Sequence, residues 1–108
     1  MKRGAKYSVV FVTVPDKKTG RKIASGIIKL RLAACVSIIE KIESHYRWNG
    51  KIETAGECLL IIKTKSSLSE KLIKKIKILH PYSVPEIIFI PVSGGAPDYL
   101  KWIGDETA

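Results

Sequence analysis

The residues able to do chemistry gather in one short run, His80-Pro81-Tyr82-Ser83-Val84-Pro85-Glu86. An imidazole that titrates near neutrality, a phenol and a carboxylate lie between or beside two prolines that fix φ. Such a set can ligate a metal through nitrogen and oxygen, or hold a small charged molecule. Glu86 opens the apolar run Ile87-Ile88-Phe89-Ile90, where a buried carboxylate needs a cation or hydrogen-bond donors. Lys63, ending another apolar run, is the expected partner. A structural ion pair at a subunit interface and a ligand-binding carboxylate are equally good readings of Glu86.

The other reactive side chains are isolated. His45 has no partner in sequence and reads as surface. Cys35 and Cys58 form no C-x-x-C pair and lie beside aliphatic residues, which suits buried, reduced thiols. No Ser/His/Asp, Cys/His or paired-carboxylate arrangement assembles, so no enzyme is expected.

Several elements must position that corner. Ser8 to Val14 is a β-branched and aromatic run stopped by Pro15-Asp16, a buried strand followed by a turn. Asp16 can cap a helix whose inward stripe is Ile23, Ala24, Ile27 and Ile28; Gly20 and Gly26 weaken it. From Ala34 to Ile62 apolar residues fall on even positions around Asn49-Gly50, a strong hairpin signal. A two-residue turn would set Ile42 opposite Glu57 and mix apolar with charged faces. A three-residue loop from Trp48 to Gly50, or an equivalent bulge near Gly56, pairs Tyr46 with Ile52 and Ile38 with Leu60, and is expected instead.

Arms of about 14 residues span on the order of 45 Å, longer than a domain of this size is wide. The hairpin must bend or project, and a projecting hairpin with Tyr46, Trp48 and Ile52 exposes apolar surface that another subunit would cover. Ser67-x-x-Glu70 reads as a capping box for a helix carrying Leu72, Ile76 and Leu79. Each proline disfavours helix in the residue before it, so His80 should close that helix and Val84 should be extended. Glu86 to Val92 is the last strand, and Asp98 can cap an end helix carrying Tyr99, Leu100, Trp102 and Ile103.

The 108 residues make one domain, 1–108, with residues 1–7 expected as a mobile tail. No run of about 18 apolar residues marks a membrane span and no cleavable leader is evident, so the expected compartment is cytoplasmic. A formal charge of +9 attracts acidic partners non-specifically. Lys71, Lys74, Lys75 and Lys77 read as the solvent face of a helix serving solubility, and no specific nucleic-acid partner is expected.

Strand, helix, strand, strand, helix, strand is the α+β ferredoxin-like βαββαβ sandwich, here with a long β-hairpin and a C-terminal helix. An RNA recognition motif would need aromatics on the third strand, where Glu57 to Ile62 has none. A heavy-metal-associated domain would need paired cysteines in the first strand–helix loop, and an acylphosphatase an arginine cradle there. Val12 to Lys18 supplies neither.

Six motifs, in order, resemble the CutA family of divalent-cation-tolerance proteins: Val12-Thr13-Val14-Pro15-Asp16, Leu32-Ala33-Ala34-Cys35-Val36, Tyr46-Arg47-Trp48-Asn49-Gly50-Lys51-Ile52, Ile62-Lys63-Thr64, His80 to Ile87, and Asp98-Tyr99-Leu100-Lys101-Trp102. They span about residues 8 to 103. The resemblance implies a compact homotrimer, similar in assembly to the PII signalling proteins, with hairpins making intersubunit sheets. It implies an ion-response role with weak binding of copper, zinc or another divalent cation, and no required cofactor.

Copper-binding members of that family carry a cysteine before the Thr-x-Pro-Asp turn and two histidines before Pro-Tyr; Val12 and Leu79-His80 stand there, so His80 and Glu86 are the metal candidates left. Arg31, Trp48, Lys63, Tyr82, Glu86, Tyr99 and Trp102 are expected to line an intersubunit cleft. A small-molecule or anion-binding PII-like regulator using that cleft is the alternative function, and a structural trimeric scaffold for protein partners the other.

Overall fold

The computed structural model describes residues 4–108. The elements run β1 Tyr7–Val14, α1 Lys17–Lys29, β2 Cys35–Trp48, β3 Lys51–Lys65, a 3-10 turn Ser66–Leu68, α2 Ser69–Leu79, β4 Ile87–Pro91 and α3 Pro97–Glu106. The strands form one antiparallel sheet in the order β2-β3-β1-β4. This is the expected α+β ferredoxin-like arrangement. Of the tail assigned to residues 1–7, the first three lie outside the described residues. Lys6 accepts a hydrogen bond from the Ser66 amide at its carbonyl, and Tyr7 already belongs to β1.

The even residues of β1 face the helices: Val10, Val12 and Val14 are fully buried with Leu60 and Ile62 of β3, Ile23 and Ile27 of α1, and Leu72 and Ile76 of α2. Ile28, expected inside, is 43% exposed, so the inward stripe of α1 is narrower than its spacing suggests. Gly20 and Gly26 have a packing reason. A Cβ at Gly20 would stand 3.1 Å from the buried Leu60 Cδ2, and one at Gly26 2.9 Å from Leu79 Cδ1. The glycines let α1 lie close to the sheet and to α2.

Asp16 caps α1 as expected, its Oδ1 accepting from the Thr19 amide at 2.8 Å. The other two caps differ. The 3-10 turn delays α2 to Ser69, so Leu68 stands at its N-cap and no Ser67 capping box forms. Pro97 begins α3 with Ala96 at the N-cap, and Asp98 sits in the first turn, bonded to the Tyr99 amide.

The hairpin corrects the loop expected at its tip. Asn49 and Gly50, at φ 50° and 74°, make a two-residue turn that pairs Trp48 with Lys51. Tyr46 therefore faces Glu53 rather than Ile52, and Ile42 faces Glu57. The register then slips by one between Ile39 and Ile42, where Glu40 and Lys41 together oppose Cys58, with Lys41 at φ 61°. Below this bulge Ile38 faces Leu60, the pairing expected. One strand thus presents even residues to the core at its base and serves the opposite face towards its tip.

That opposite face has no helix over its centre. Ile39, Ile88 and Ile90 are 40 to 51% exposed there, and with the hairpin the molecule reaches 44 Å along its long axis.

Candidate functional site

Pro81 ends α2 by forcing His80 to an extended ψ of 135°, and this turns the imidazole back toward β1. His80 is only 7% exposed. Its Nε2 donates to the Thr13 carbonyl at 2.7 Å, while Nδ1 accepts from the Tyr82 amide at 3.2 Å. An acceptor at Nδ1 and a donor at Nε2 define one neutral tautomer with neither nitrogen spare. The Tyr82 ring lies 4.8 Å from the imidazole, and its hydroxyl is directed to the hairpin.

There the hydroxyl donates to Glu57 Oε2 at 2.9 Å. Glu57 is 8% exposed, a nearly buried carboxylate. Its position follows from the two-residue turn and bulge, which set it opposite Ile42 at the hairpin's stem. Burial, reinforced by the Glu57 hydrogen bond and charge, pushes the Tyr82 hydroxyl up to about 12. Glu86 follows Pro85 and lines the same recess, and desolvation with repulsion from Glu57 holds its carboxyl above the ordinary range. No cation within ion-pairing distance offsets either carboxylate among the described residues.

The recess between hairpin and proline corner has a volume of about 570 Å³. Tyr46 and Trp48 line it from the hairpin and Tyr82 to Val84 from the proline corner, with Thr13 of β1, and Glu57 and Glu86 bring its charge. His45 reaches its edge, held through Nε2 by Glu43 at 2.7 Å, so it is an exposed residue with a partner that sequence did not reveal.

The residues assigned to the cleft divide within one chain. Trp48, Tyr82 and Glu86 meet in the recess. Lys63 does not pair with Glu86; its ammonium instead donates to Cys35 Sγ at 3.9 Å. Arg31, at φ 58°, instead closes the end of α3, its Nη2 donating to the Asp105 carbonyl at 2.7 Å. Tyr99 and Trp102 pack on each other along α3, with ring centroids 5.6 Å apart. Cys58 is buried and Cys35 half-buried, both free. Glu57 is the member that sequence reasoning missed. Its signal was the pairing of Ile42 with Glu57, which a continuous apolar face disfavoured.

Among the described residues no three His, Cys, Asp or Glu side chains stand together as a metal-ligand set. One chain brings two carboxylates and a phenol to the recess, and two carboxylates are fewer than the three or four ligands of a closed transition-metal centre.

Residues 8–106 match the family described as CutA1 divalent ion tolerance protein. The chain is 48% identical over 99 residues to the protein named CutA, chloroplastic, of Arabidopsis thaliana, covering 92% of this chain and 54% of that protein. It therefore spans about half the length of that plant relative. The divalent-cation tolerance protein CutA of Thermus thermophilus is 42% identical over 99 residues, with 92% and 96% covered. The crystal structure of CutA1 from Oryza sativa superposes with a TM-score of 0.93 at 47% identity, covering 96% of this chain and 95% of that one.

Proposed function

The chain belongs to the CutA1 divalent ion tolerance protein family, and on that premise we propose that it is a homotrimeric ion-response protein that binds divalent cations weakly at the Glu57–Glu86 recess. The observation that carries this reading is that Glu57 and Glu86 line one recess with no ion-pair partner among the described residues. Two carboxylates without a counterion repel each other, and a bound cation relieves that repulsion. His80 supports the recess through Thr13 and Tyr82, so the cation is placed on Glu86 and Glu57, with copper and zinc the ions to try first. The role is binding rather than catalysis. The proposed compartment is the cytoplasm, in keeping with two free thiols.

The trimer is supported by the exposed aliphatic face of the sheet and by the projecting hairpin, both of which need a cover. Light scattering should return three times the 12.0 kDa chain mass. For the site, calorimetric titration of Cu²⁺ and Zn²⁺ into wild type, Glu86→Gln and His80→Ala should show the greatest loss in Glu86→Gln. Equal affinities in all three would sink the proposal.

A second reading rests on the size of the recess, which lies within the range of small-molecule sites. Its two carboxylates oppose the anion that a Lys63-lined cleft suggested, so this reading takes a neutral or cationic compound lying on Tyr46 and Trp48. Electron density for such a compound in a crystal soaked with a mixed metabolite set would establish it.

A further inference from the structure

The charge of this protein is concentrated on one layer. α1 carries five lysines and arginines and no acid, and α2 carries four lysines and one acid, Glu70. Together they hold +8 of the formal +9. Both helices lie on the same side of the sheet, away from the apolar face that the trimer would cover. Of their cations only Lys17 has an ion-pair partner among the described residues, Glu40 at 3.2 Å.

On α2 the lysines share their face with an exposed aliphatic residue. Lys71, Lys74, Lys75 and Ile78 fall at i, i+3, i+4 and i+7, hence on one side of the helix, while Leu72, Ile76 and Leu79 turn to the core. Ile78 is 71% exposed. At the end of α1, Ile28 and Leu30 are 43% and 52% exposed on either side of Lys29. Solubility accounts for the lysines, and Ile78 adds to the face they share an apolar side chain that solubility does not require.

We propose that this helical layer docks on anionic lipid surfaces, with its lysines at the headgroups and Ile78 entering the acyl boundary. A duplex phosphate backbone would also attract the charge, but it gains nothing from Ile78, and neither helix carries an aromatic to stack on bases. A lipid leaflet uses both features, because long lysine stems lie along the interface while aliphatic side chains leave water. No helix of the described residues is long and apolar enough to cross a membrane, so the contact is peripheral. The inference stands apart from the cation site.

Co-sedimentation of the full chain with phosphatidylcholine vesicles, with and without phosphatidylserine, in EDTA at low salt tests it. Wild type should pellet with the anionic vesicles and not with the neutral ones. Replacing Lys71, Lys74, Lys75 and Lys77 together by Gln should weaken binding at least about tenfold, since each lysine near such a surface is worth roughly fivefold. Ile78→Ser, which keeps every charge, should weaken it severalfold, and it decides the question even if the quadruple variant folds poorly. Absence of pelleting would overturn the proposal. So would equal binding of wild type and Ile78→Ser alongside equally tight binding to duplex DNA, the mark of a general polyanion surface.

Discussion

The Tyr82 hydroxyl donates to the Glu57 carboxylate across 2.9 Å, tying the proline corner to the stem of the hairpin. The carboxylate is nearly buried, so this bond offsets the desolvation of a charge. Tyr82→Phe removes the donor and keeps the ring. It should destabilise the fold by about 1–3 kcal/mol in urea denaturation, whereas the double variant with Glu57→Gln should recover part of that loss. Additive single effects would contradict the coupling.

The phenol itself gives an independent readout. Ultraviolet titration should place Tyr82 at about 12, and Glu57→Gln should lower it while leaving it above the ordinary 10.0, because burial is the first cause of the shift. Between these values the unfolded chain releases the proton before the folded one does. Stability should therefore fall as pH rises from about 10 to about 12, and that fall should vanish in Tyr82→Phe.

Glu86 has the same sign at the other end of the pH scale. Its carboxyl is held above the ordinary value by desolvation and by Glu57, so the folded state binds the proton more tightly than the unfolded chain. Its contribution should favour folding as pH falls through the raised value and level off below the ordinary glutamate range. Glu86→Gln should be more stable than wild type at neutral pH, and subtracting the two stability curves should isolate that slope. A variant less stable than wild type would mean that a cation partner had been lost.

These groups also show what the sequence could and could not disclose. The strands, helices and proline corner follow from residue type and period, and His80 ends α2 because Pro81 excludes helix before it. The hairpin register does not follow, because Asn49-Gly50 and the even apolar series demand different pairings. The chain keeps the two-residue turn at the tip and restores the even pairing only at the base, by inserting one residue at Glu40–Lys41, with Lys41 in a left-handed conformation that no glycine announces. Glu57 thereby reaches Tyr82, a contact that depends on a slip of one residue. Arg31 was equally hidden, since its carbonyl partners are backbone atoms more than 70 residues away.

The bulge itself can be tested. Lys41 pays a backbone cost at φ 61°, which a β-branched side chain raises and glycine removes. Lys41→Val should cost about 1–2 kcal/mol, and Lys41→Gly should lie within about 1 kcal/mol of wild type because relief of strain competes with added chain entropy. Equal stability of the Val and Gly variants in thermal unfolding would argue that the bulge relocates.

Gly20 makes the opposite trade. Alanine at a helix interior gains about 1 kcal/mol in propensity, yet here its Cβ would press within 3.1 Å of Leu60 Cδ2, in a part of the core where Leu60 is fully buried. Leu60 must then give by a few tenths of an ångström inside a close-packed interior. Gly20→Ala should therefore destabilise by about 1–2 kcal/mol net, and a gain in stability would show that α1 can shift.

Ile88 lies on the uncovered face of the sheet at 51% exposure, across from Phe11. In an isolated chain a lysine there would reach water with little effect, within about 0.5 kcal/mol. In a trimer that buries this face, the same lysine would be a charge without a partner inside an apolar interface. Ile88→Lys should then lower the mass in light scattering toward the 12.0 kDa of one chain, while circular dichroism keeps the wild-type spectrum. An unchanged trimer would place the contact elsewhere, on the hairpin alone.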